Sequence, residues 1–418
     1  MSDKIQASGN YPQLPISERD RRWRLIREYM AKERLDALIV YGADTFFGLG
    51  MSNIRYFTSV ADLQGSLFIF PLEGEPVLFS SPWHMNVPFS PYSKAQEWVK
   101  DIRHYDGPAN CFSEIKARGL DRGSLGLMGF GSYLVVGSTI PYTLYKDFEK
   151  TLPDAKIRDV TWDIVPFRTI KSQPEIEMLC KAAELALKTV QQMWETANPG
   201  VAENKVWADM MRAQIVNGGE PHAFILLSSG PVDDSKKYNL LHPMAPSFSP
   251  QKRTLQQGDL LITEFHTNYS GYLGCAEFSM VLGHAPKELQ RIHDVSVECF
   301  YRYFEVMKAG TTLREVWEAV RKPCLDAGMD YVELGFHGHG LSSPDWPAVV
   351  YKPGRGHADG AGLADVVLQE NMVFGTNIDI HDPRWSKHIG HMLGDMVVIT
   401  KKGGKRIVNT PTDRFVKK

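Results

Sequence analysis

The sequence predicts a two-domain protein of the mixed α/β (α+β) class, and three observations lead to this prediction. The chain has 418 residues, which is more than a single hydrophobic core usually holds. Strand-like and helix-like segments alternate from the start to about residue 150. Further along, the similar segments 198–210 and 308–320 each follow a long helical stretch. We therefore expect a mixed N-terminal domain followed by a domain built from two similar halves.

Composition excludes several classes of partner. Hydrophobic residues make up 43% and aromatic residues 11% of the chain, which is typical of globular proteins. A net charge of −2 gives no electrostatic case for nucleic acid or an anionic membrane as a partner. The polar start MSDKIQASGNYPQLP lacks the apolar core of a signal peptide, and no run approaches the roughly 20 apolar residues of a membrane helix. The five cysteines form no C-x-x-C pair, so a cytoplasmic protein without a disulfide framework is expected.

The first predicted element is an amphipathic helix over residues 18–35. It places Trp23, Ile26 and Met30 on one face among charged residues. The predicted elements that follow are a strand over 36–43, two strands over 65–81 around a Gly-Glu-Pro turn, a strand over 123–131 and a helix over 142–152. These elements together predict an N-terminal α/β domain over residues 1–165.

A helix start marks the domain boundary. Ser172 is a suitable N-cap, and Pro174 follows at an early helical position, where its missing N–H does no harm. Apolar residues then recur at helical spacing, beginning with Ile176 and Leu179. This pattern predicts a long helix that opens a second domain over residues 168–418.

The second domain contains an internal similarity. Gly200 aligns with Gly310, and Val206-Trp207 aligns with Val316-Trp317, each pair within a matching helical context. We interpret this as a duplication. It predicts a pseudo-twofold domain with a site between its halves.

The stretch Gly258–Gly283 contains a Gly-Asp turn, a strand, a Gly-Tyr crossing and a second strand that ends in Leu-Gly. This order resembles the metal-binding hairpin of the creatinase/prolidase/methionine aminopeptidase family. The segment R-x-I-K-S-x-x-E-I at the boundary is similar to the start of that family's catalytic domain. The resemblance covers nearly the whole chain. It implies a creatinase-like domain over 1–165 and a C-terminal pita-bread domain over 168–418.

The resemblance also shows where this sequence departs from the family. Family metalloenzymes bind two divalent cations through two Asp on the hairpin, one His and two later Glu. The residues at those positions here are Glu264, Cys275, His337, Asn377 and Gly394. A two-metal site needs bridging carboxylates to offset four positive charges, and Asn and Gly supply none. We therefore expect a site that uses no metal and no cofactor.

Metal binding remains an alternative in two forms. A single transition ion could be held by some of His337, His339, Glu264 and Cys275. The alignment could also be shifted, because four possible ligands lie close to the vacated positions: Asp379, His381, Asp382 and His391.

The family includes one metal-free enzyme, creatinase, which hydrolyses a guanidino C–N bond. Glu277 falls where the creatinase hairpin carries a substrate-binding Glu, and His242 falls where that enzyme places its catalytic His. A neutral His can take a proton from water and return it to a leaving nitrogen, and a carboxylate can orient a cationic substrate. The similarity is incomplete, because Phe278 replaces the Arg that follows the creatinase Glu.

This reading predicts two groups of site residues. The expected catalytic residues are His242, Glu277, His337 and His339. The expected substrate-binding residues are Glu264, Cys275, Asn377, Arg355 and Trp346, the last by cation–π attraction. The predicted function is a metal-independent hydrolase that cleaves a C–N bond of a small, polar, non-peptide substrate, such as a guanidino, ureido or cyclic amidine compound.

The resemblance further implies a homodimer in which the partner's N-terminal domain lies near the site. Four aromatic residues could then reach across: Phe46, Phe47, Tyr56 and Trp83.

Other functions stay open at this point. They are a metal-dependent Xaa-Pro peptidase, a lyase of the dimethylsulfoniopropionate type, suggested by the H-G-x-G-L and W-P segments, and an inactive pseudopeptidase that binds a partner. A covalent mechanism through the Cys275 thiol is also possible if a neighbouring His lowers its pKa.

Overall fold

The structure is a computed structural model. It describes residues 13–43, 49–59, 65–80, 97–105, 107–130, 140–221, 224–232, 241, 247, 251–349, 363–386 and 388–418. The chain divides into two compact units, Met1–Arg168 and Thr169–Lys418.

The first unit alternates helices and strands. Its elements are α1 (Ile16–Glu33), β1 (Ala37–Gly42), α2 (Leu49–Thr58), β2 (Ser66–Pro71), β3 (Val77–Ser80), β4 (Asp101–His104), α3 (Pro108–Ala117), β5 (Ser124–Met128), α4 (Tyr142–Thr151), β6 (Lys156–Asp159) and α5 (Thr161–Ile164). The strands form one mixed sheet in the order β4-β3-β2-β1-β5-β6. Every residue of β1 and β2 is buried, as expected for central strands covered on both faces. The predicted elements of this unit are therefore present.

Helix α1 packs through the predicted face. Trp23, Ile26 and Met30 are all buried, and the indole of Trp23 donates a hydrogen bond to the Phe57 carbonyl oxygen. Tyr56 is fully buried in this unit, with the Arg22 guanidinium 4.6 Å from its ring centre. That position makes Tyr56 a core residue, so the prediction that it reaches into a partner subunit is wrong. Phe46, Phe47 and Trp83 lie outside the described residues.

The second unit contains two helix pairs and a large sheet. Its elements are α6 (Gln173–Thr196), α7 (Glu203–Val216), β7 (Ile225–Pro231), β8 (Asp259–Tyr269), β9 (Tyr272–Leu282), α8 (Lys287–Val306), α9 (Leu313–Asp326), β10 (Asp330–Gly338), β11 (Asp345–Val349), β12 (Val373–His381), β13 (Gly390–Ile399), β14 (Gly404–Arg406) and β15 (Val416–Lys417). Ser172 caps α6 through a full capping box, with Pro174 in its first turn. The predicted start of the second domain is thus a stable helix N-terminus.

The large sheet is arranged as two similar halves. Its order is β11-β10-β12-β13-β9-β8-β7, so β10, β12 and β13 on one side correspond to β7, β8 and β9, in that order, on the other. Helix α6 packs on β8 and β9, and α8 packs on β12 and β13. Gly200 and Gly310, before α7 and α9, have φ values of 89° and 95°, which favour glycine. This repetition supports the predicted duplication.

No helix in the described part of the chain is long and apolar enough to cross a membrane.

Candidate functional site

The β8–β9 hairpin fixes which of its side chains face each other. Ser270 and Gly271 both have positive φ, 53° and 84°, as in a two-residue type I′ turn. This turn sets a register in which Glu264 lies opposite Glu277 and His266 lies opposite Cys275. Side chains two residues apart on a strand point to the same face. The hairpin therefore presents these two pairs together.

The other half of the sheet meets this hairpin at one pairing. Gly394 of β13 pairs with Glu277 of β9, and Asn377 of β12 pairs with Gly394. Asn377, Gly394, Glu277 and Glu264 therefore form one continuous row across the sheet. The junction of the two halves is where the positions singled out from the sequence converge.

Glu277 occupies this junction with a fully buried carboxylate. Its Oε1 accepts a hydrogen bond of 2.6 Å from Asn377 Nδ2, and its Oε2 accepts one of 3.3 Å from the Ile378 amide. A Cβ on Gly394 would lie 3.0 Å from Glu277 Oε2 and 2.5 Å from the Thr376 carbonyl oxygen. The carboxylate thus fills the space into which a side chain at residue 394 would project.

His337 and His339 lie side by side at the end of β10. Their ring centres are 4.8 Å apart, which agrees with their two-residue spacing, and the absence of a side chain on Gly375 makes room for both rings. Burial lowers the pKa of His337 to about 4, although the Gly338 carbonyl and Asn377 act in the opposite direction. Burial, then the neighbouring His337, holds the pKa of His339 well below its usual range. Both imidazoles are therefore neutral near pH 7.

His339 belongs to a second group, which we call the His–Cys–His cluster: His266, Cys275 and His339. One ligand atom from each residue lies within 4.8 Å of the other two, and all three residues are buried. This is the sole group of three or more His, Cys, Asp or Glu residues with such spacing among the residues that the structure describes. Ser343 Oγ lies 2.8 Å from His339 Nε2 and 3.1 Å from His266 Nε2. The imidazole nitrogens of the cluster therefore converge on one point.

Neighbouring groups hold the cluster in place. His339 Nδ1 is 3.1 Å from the Leu273 carbonyl oxygen, which can only accept, so Nδ1 carries the proton and Nε2 presents its lone pair. The Phe224 ring lies against the His266 ring at 4.3 Å between centres. The Cys275 amide donates to the Met396 sulfur at 3.3 Å, which ties β9 to β13. Both imidazoles and the thiol thus have defined surroundings.

The two-metal cage of the family does not fit these residues. Among the five family positions, only Glu264 offers a carboxylate, whereas two divalent ions require several. Gly394 supplies no ligand, and the Glu277 carboxylate that fills its side-chain space is bound by Asn377 and the Ile378 amide. These residues therefore supply neither the negative charge nor the space that a bridged pair of cations needs.

The remaining predicted site residues are distributed as follows. Glu264 is half-buried in the shared row, and Trp346 is half-buried on β11, where its amide donates to Asp345 Oδ1. His242 and Arg355 lie outside the described residues. Of the shifted-alignment ligands, Asp382 is bound by Arg291 and Arg384, and His391 lies 3.0 Å from His293.

The sequence places His337 at the family's His position, and its predicted site residues include neither His266 nor Ser343. The structure instead brings His339 to Cys275 and His266. A signal for His266 was present, because a two-residue turn at Ser270-Gly271 pairs it with Cys275. No local pattern indicated Ser343, which reaches the cluster from the loop between β10 and β11.

Comparisons with known proteins give the family. Residues 177–401 match the model of metallopeptidase family M24, and residues 22–170 match the creatinase/prolidase N-terminal domain. The Xaa-Pro dipeptidase of Pyrococcus furiosus is 28% identical over 91% of this chain and 98% of its own length. That of Pyrococcus horikoshii is 25% identical over 92% and 96%.

Solved structures agree on the fold. The prolidase from Pyrococcus horikoshii OT3 matches with a TM-score of 0.74 and 23% identity, over 94% of this chain and 100% of that one. The X-Pro aminopeptidase from Thermotoga maritima matches with a TM-score of 0.76 and 17% identity, over 94% and 99%. At these identities the likeness shows the fold alone.

The predicted function, a metal-independent hydrolase of a non-peptide C–N bond, is wrong. The two Pyrococcus relatives, matched over nearly their whole length, are Xaa-Pro dipeptidases, and the family model is that of metallopeptidases. The prediction relied on Glu277 as a carboxylate available to a cationic substrate. In the structure that carboxylate is buried and accepts hydrogen bonds from Asn377 and Ile378.

Proposed function

The chain belongs to metallopeptidase family M24, and we propose that it acts on the peptide bond of short Xaa-Pro peptides. The observation that carries this proposal is the similarity to Xaa-Pro dipeptidases over 91% of the chain, which includes both domains. No non-peptide substrate has comparable support. The hairpin register and the sheet order support the proposal, because the positions that resemble the family's ligand positions lie together at the junction of the two halves.

The side chains at the junction differ from the family's carboxylate set, so the chemistry is performed by other groups. Hydrolysis of a peptide bond needs a group that activates water and a group that returns a proton to the leaving nitrogen. One buried group combines two imidazoles, a thiol and a hydroxyl, which come from His266, His339, Cys275 and Ser343. Without a bound ion, these groups can accept and donate protons, whereas the Glu277 carboxylate is held by hydrogen bonds.

The test measures, by mass spectrometry, the free proline that the full chain releases from Ala-Pro, Leu-Pro and Gly-Pro. Ala-Ala and Leu-Ala serve as substrate controls. The protein is assayed as purified and after addition of Zn(II), Co(II) or Mn(II). The variant His339→Ala should lose activity by at least about 100-fold, which is the usual effect of removing a group that acts on the reacting atoms. The matched control is His293→Gln, a buried His outside the junction, which should retain activity.

Proline release that depends on His339 and not on His293 supports the proposal. Absence of proline release under every metal condition overturns it, as does cleavage of Ala-Ala at the same rate as Ala-Pro.

A second function, binding of such peptides without turnover, is favoured by one observation. The Glu277 carboxylate lies in the side-chain space of Gly394, so the two-metal centre of the family's peptidases cannot form. Calorimetric titration with Ala-Pro, together with recovery of the intact dipeptide, would support this second function. Turnover of the bound dipeptide would exclude it.

We also propose that the chain is a homodimer, as the creatinase-like resemblance implies. Light scattering coupled to size-exclusion chromatography tests this directly. A mass of about twice the 47.1 kDa of one chain supports the proposal, and a monomer mass at all concentrations overturns it.

A further inference from the structure

We propose that the His–Cys–His cluster is a binding site for one borderline-soft transition metal ion, with Zn(II) as the reference ion. The ion would be bound by a nitrogen of His266, the sulfur of Cys275 and Nε2 of His339. This site replaces the two-metal carboxylate cage of the family. The inference concerns metal binding and does not rest on the proposed peptidase function.

The first support is spacing. The three ligand atoms all lie within 4.8 Å of one another. In a tetrahedral zinc site, bonds of about 2.0–2.1 Å to nitrogen and about 2.3 Å to sulfur place ligand atoms roughly 3.5 Å apart. The cluster therefore needs only small side-chain movements to close around an ion.

The second support is the type of donor. Two imidazoles and one thiolate suit Zn(II), Cu(II) and similar ions, whereas Mg(II) and Mn(II) prefer the oxygen ligands of which the family positions retain one. One divalent ion offset by a single thiolate keeps one net positive charge, whereas two divalent ions offset by the Cys275 thiolate and the Glu264 carboxylate would keep two, which a buried pocket tolerates less well. The residues at the family's ligand positions therefore favour one borderline-soft ion in place of the family's two oxygen-bound ions.

The third support is ligand orientation. In protein metal sites, a ligating His donates its other N–H to a carbonyl or carboxylate, which fixes the tautomer. His339 has this arrangement, because Nδ1 donates to the Leu273 carbonyl and Nε2 faces the cluster. The Phe224 ring packs against the His266 ring and restricts its rotation. Two of the three ligands are thus oriented before an ion arrives.

Ser343 gives the site an additional feature. Its hydroxyl lies 2.8 Å from His339 Nε2 and 3.1 Å from His266 Nε2, so it sits between the two imidazoles that would bind the ion. The hydroxyl would therefore have to rotate away when an ion binds. Three protein ligands leave the fourth position of a tetrahedral ion open, as in catalytic zinc sites.

The experiment uses the full chain, freed of metal by a chelator and titrated with Co(II). Thiolate ligation of Co(II) gives a near-ultraviolet charge-transfer band, so binding is read without any activity assay. We expect one Co(II) per chain, with the band present in the wild type and removed by Zn(II) in a one-to-one ratio. Cys275→Ser should abolish the band, and His266→Gln or His339→Gln should weaken binding by more than about 100-fold, the upper effect of losing an outer-sphere partner.

The matched control is Cys299→Ser, which makes the same change at a cysteine that is equally buried in α8. It should keep the band and the stoichiometry. Thermal unfolding of each metal-free variant shows whether it folds. If Cys275→Ser does not fold, the two His variants still test the proposal. Two ions per chain, a band that persists in Cys275→Ser, or preferential binding of Mn(II) would overturn the proposal. Failure to bind Zn(II) or Co(II) would also overturn it.

Discussion

Glu277 lies directly opposite Gly394 where the two halves of the large sheet meet, and its Oε2 is 3.0 Å from the position of a Cβ on residue 394. The missing side chain at one residue and the buried carboxylate at the other are thus one structural change. At this junction the carboxylate takes the space that a ligating side chain at residue 394 would need.

The first prediction concerns this contact. Gly394→Ala should lower the free energy of unfolding by about 1–3 kcal/mol, because the new Cβ would lie 2.5 Å from the Thr376 carbonyl oxygen, which is backbone and cannot rotate away. Denaturant unfolding measures the loss. Gly230→Ala is the control, since its nearest neighbour would be Leu241 at an ordinary 3.7 Å. Equal stability of the two variants would contradict the close packing described here.

The second prediction concerns the Glu277–Asn377 hydrogen bond. Glu277→Gln should cost about 1–3 kcal/mol of stability, because the Gln carbonyl oxygen can accept from one of the two donors, Asn377 Nδ2 or the Ile378 amide, while the Gln NH2 group faces the other. Asn377→Asp in the same chain should recover part of the loss, since the Gln amide can donate to the new carboxylate. A double-mutant cycle measured by chemical denaturation gives the coupling between the two sites. Strictly additive effects would mean that the hydrogen bond does not hold the junction.

The sequence predicted the fold well because its signals are local. The Ser172 N-cap, the apolar face of α1 and the Gly-Tyr crossing of the hairpin depend on residues within a few positions of each other. The duplication can be recognised in the sequence because the two short segments around Gly200 and Gly310 resemble each other.

The site was predicted only in part because it depends on long-range register. Cys275 and His339 come from separate strands, and Ser343 reaches them from a loop. The choice between His337 and His339 could not be made from their spacing, since both point to the same face. The fate of the Glu277 carboxylate depends on Asn377, which lies across β13 and far along the chain.

The third prediction tests the duplication. Gly200→Ala and Gly310→Ala should each lower the free energy of unfolding by about 1–3 kcal/mol, because both residues have positive φ. No atom lies within 4 Å of either added Cβ, so backbone strain is the whole effect and the two losses should be similar. Thermal unfolding of both variants provides the comparison. A loss at one position alone would mean that the two turns are not equivalent.

The fourth prediction is a dependence of stability on pH. His293 Nδ1 and His391 Nε2 are 3.0 Å apart. Burial lowers the pKa of both residues. The neighbouring His293 lowers the pKa of His391 further, whereas Asp294 acts in the opposite direction on the pKa of His293. The unfolded chain therefore takes up protons that the folded chain does not as the pH falls below about 6.5. The free energy of unfolding should fall in this range, by up to about 1.4 kcal/mol per pH unit for each proton.

The double variant His293→Gln/His391→Gln should show a shallower decline between pH 6.5 and pH 5, measured by urea denaturation. Phe336→Leu is the control. Its buried ring packs on Tyr303 and Phe374 in a different core cluster, so the variant should lose stability by a similar amount at every pH. An unchanged slope in the double variant would show that other groups cause the acid sensitivity.

X-ray absorption at the zinc edge, on the full chain loaded with Zn(II), identifies the atoms that bind the ion in the His–Cys–His cluster. We predict one sulfur at about 2.3 Å and two imidazole nitrogens at about 2.0–2.1 Å, from Cys275, His266 and His339. A coordination shell of oxygen and nitrogen without sulfur, together with a second metal at about 3.5–4 Å, would contradict it and would restore the two-metal centre of the family.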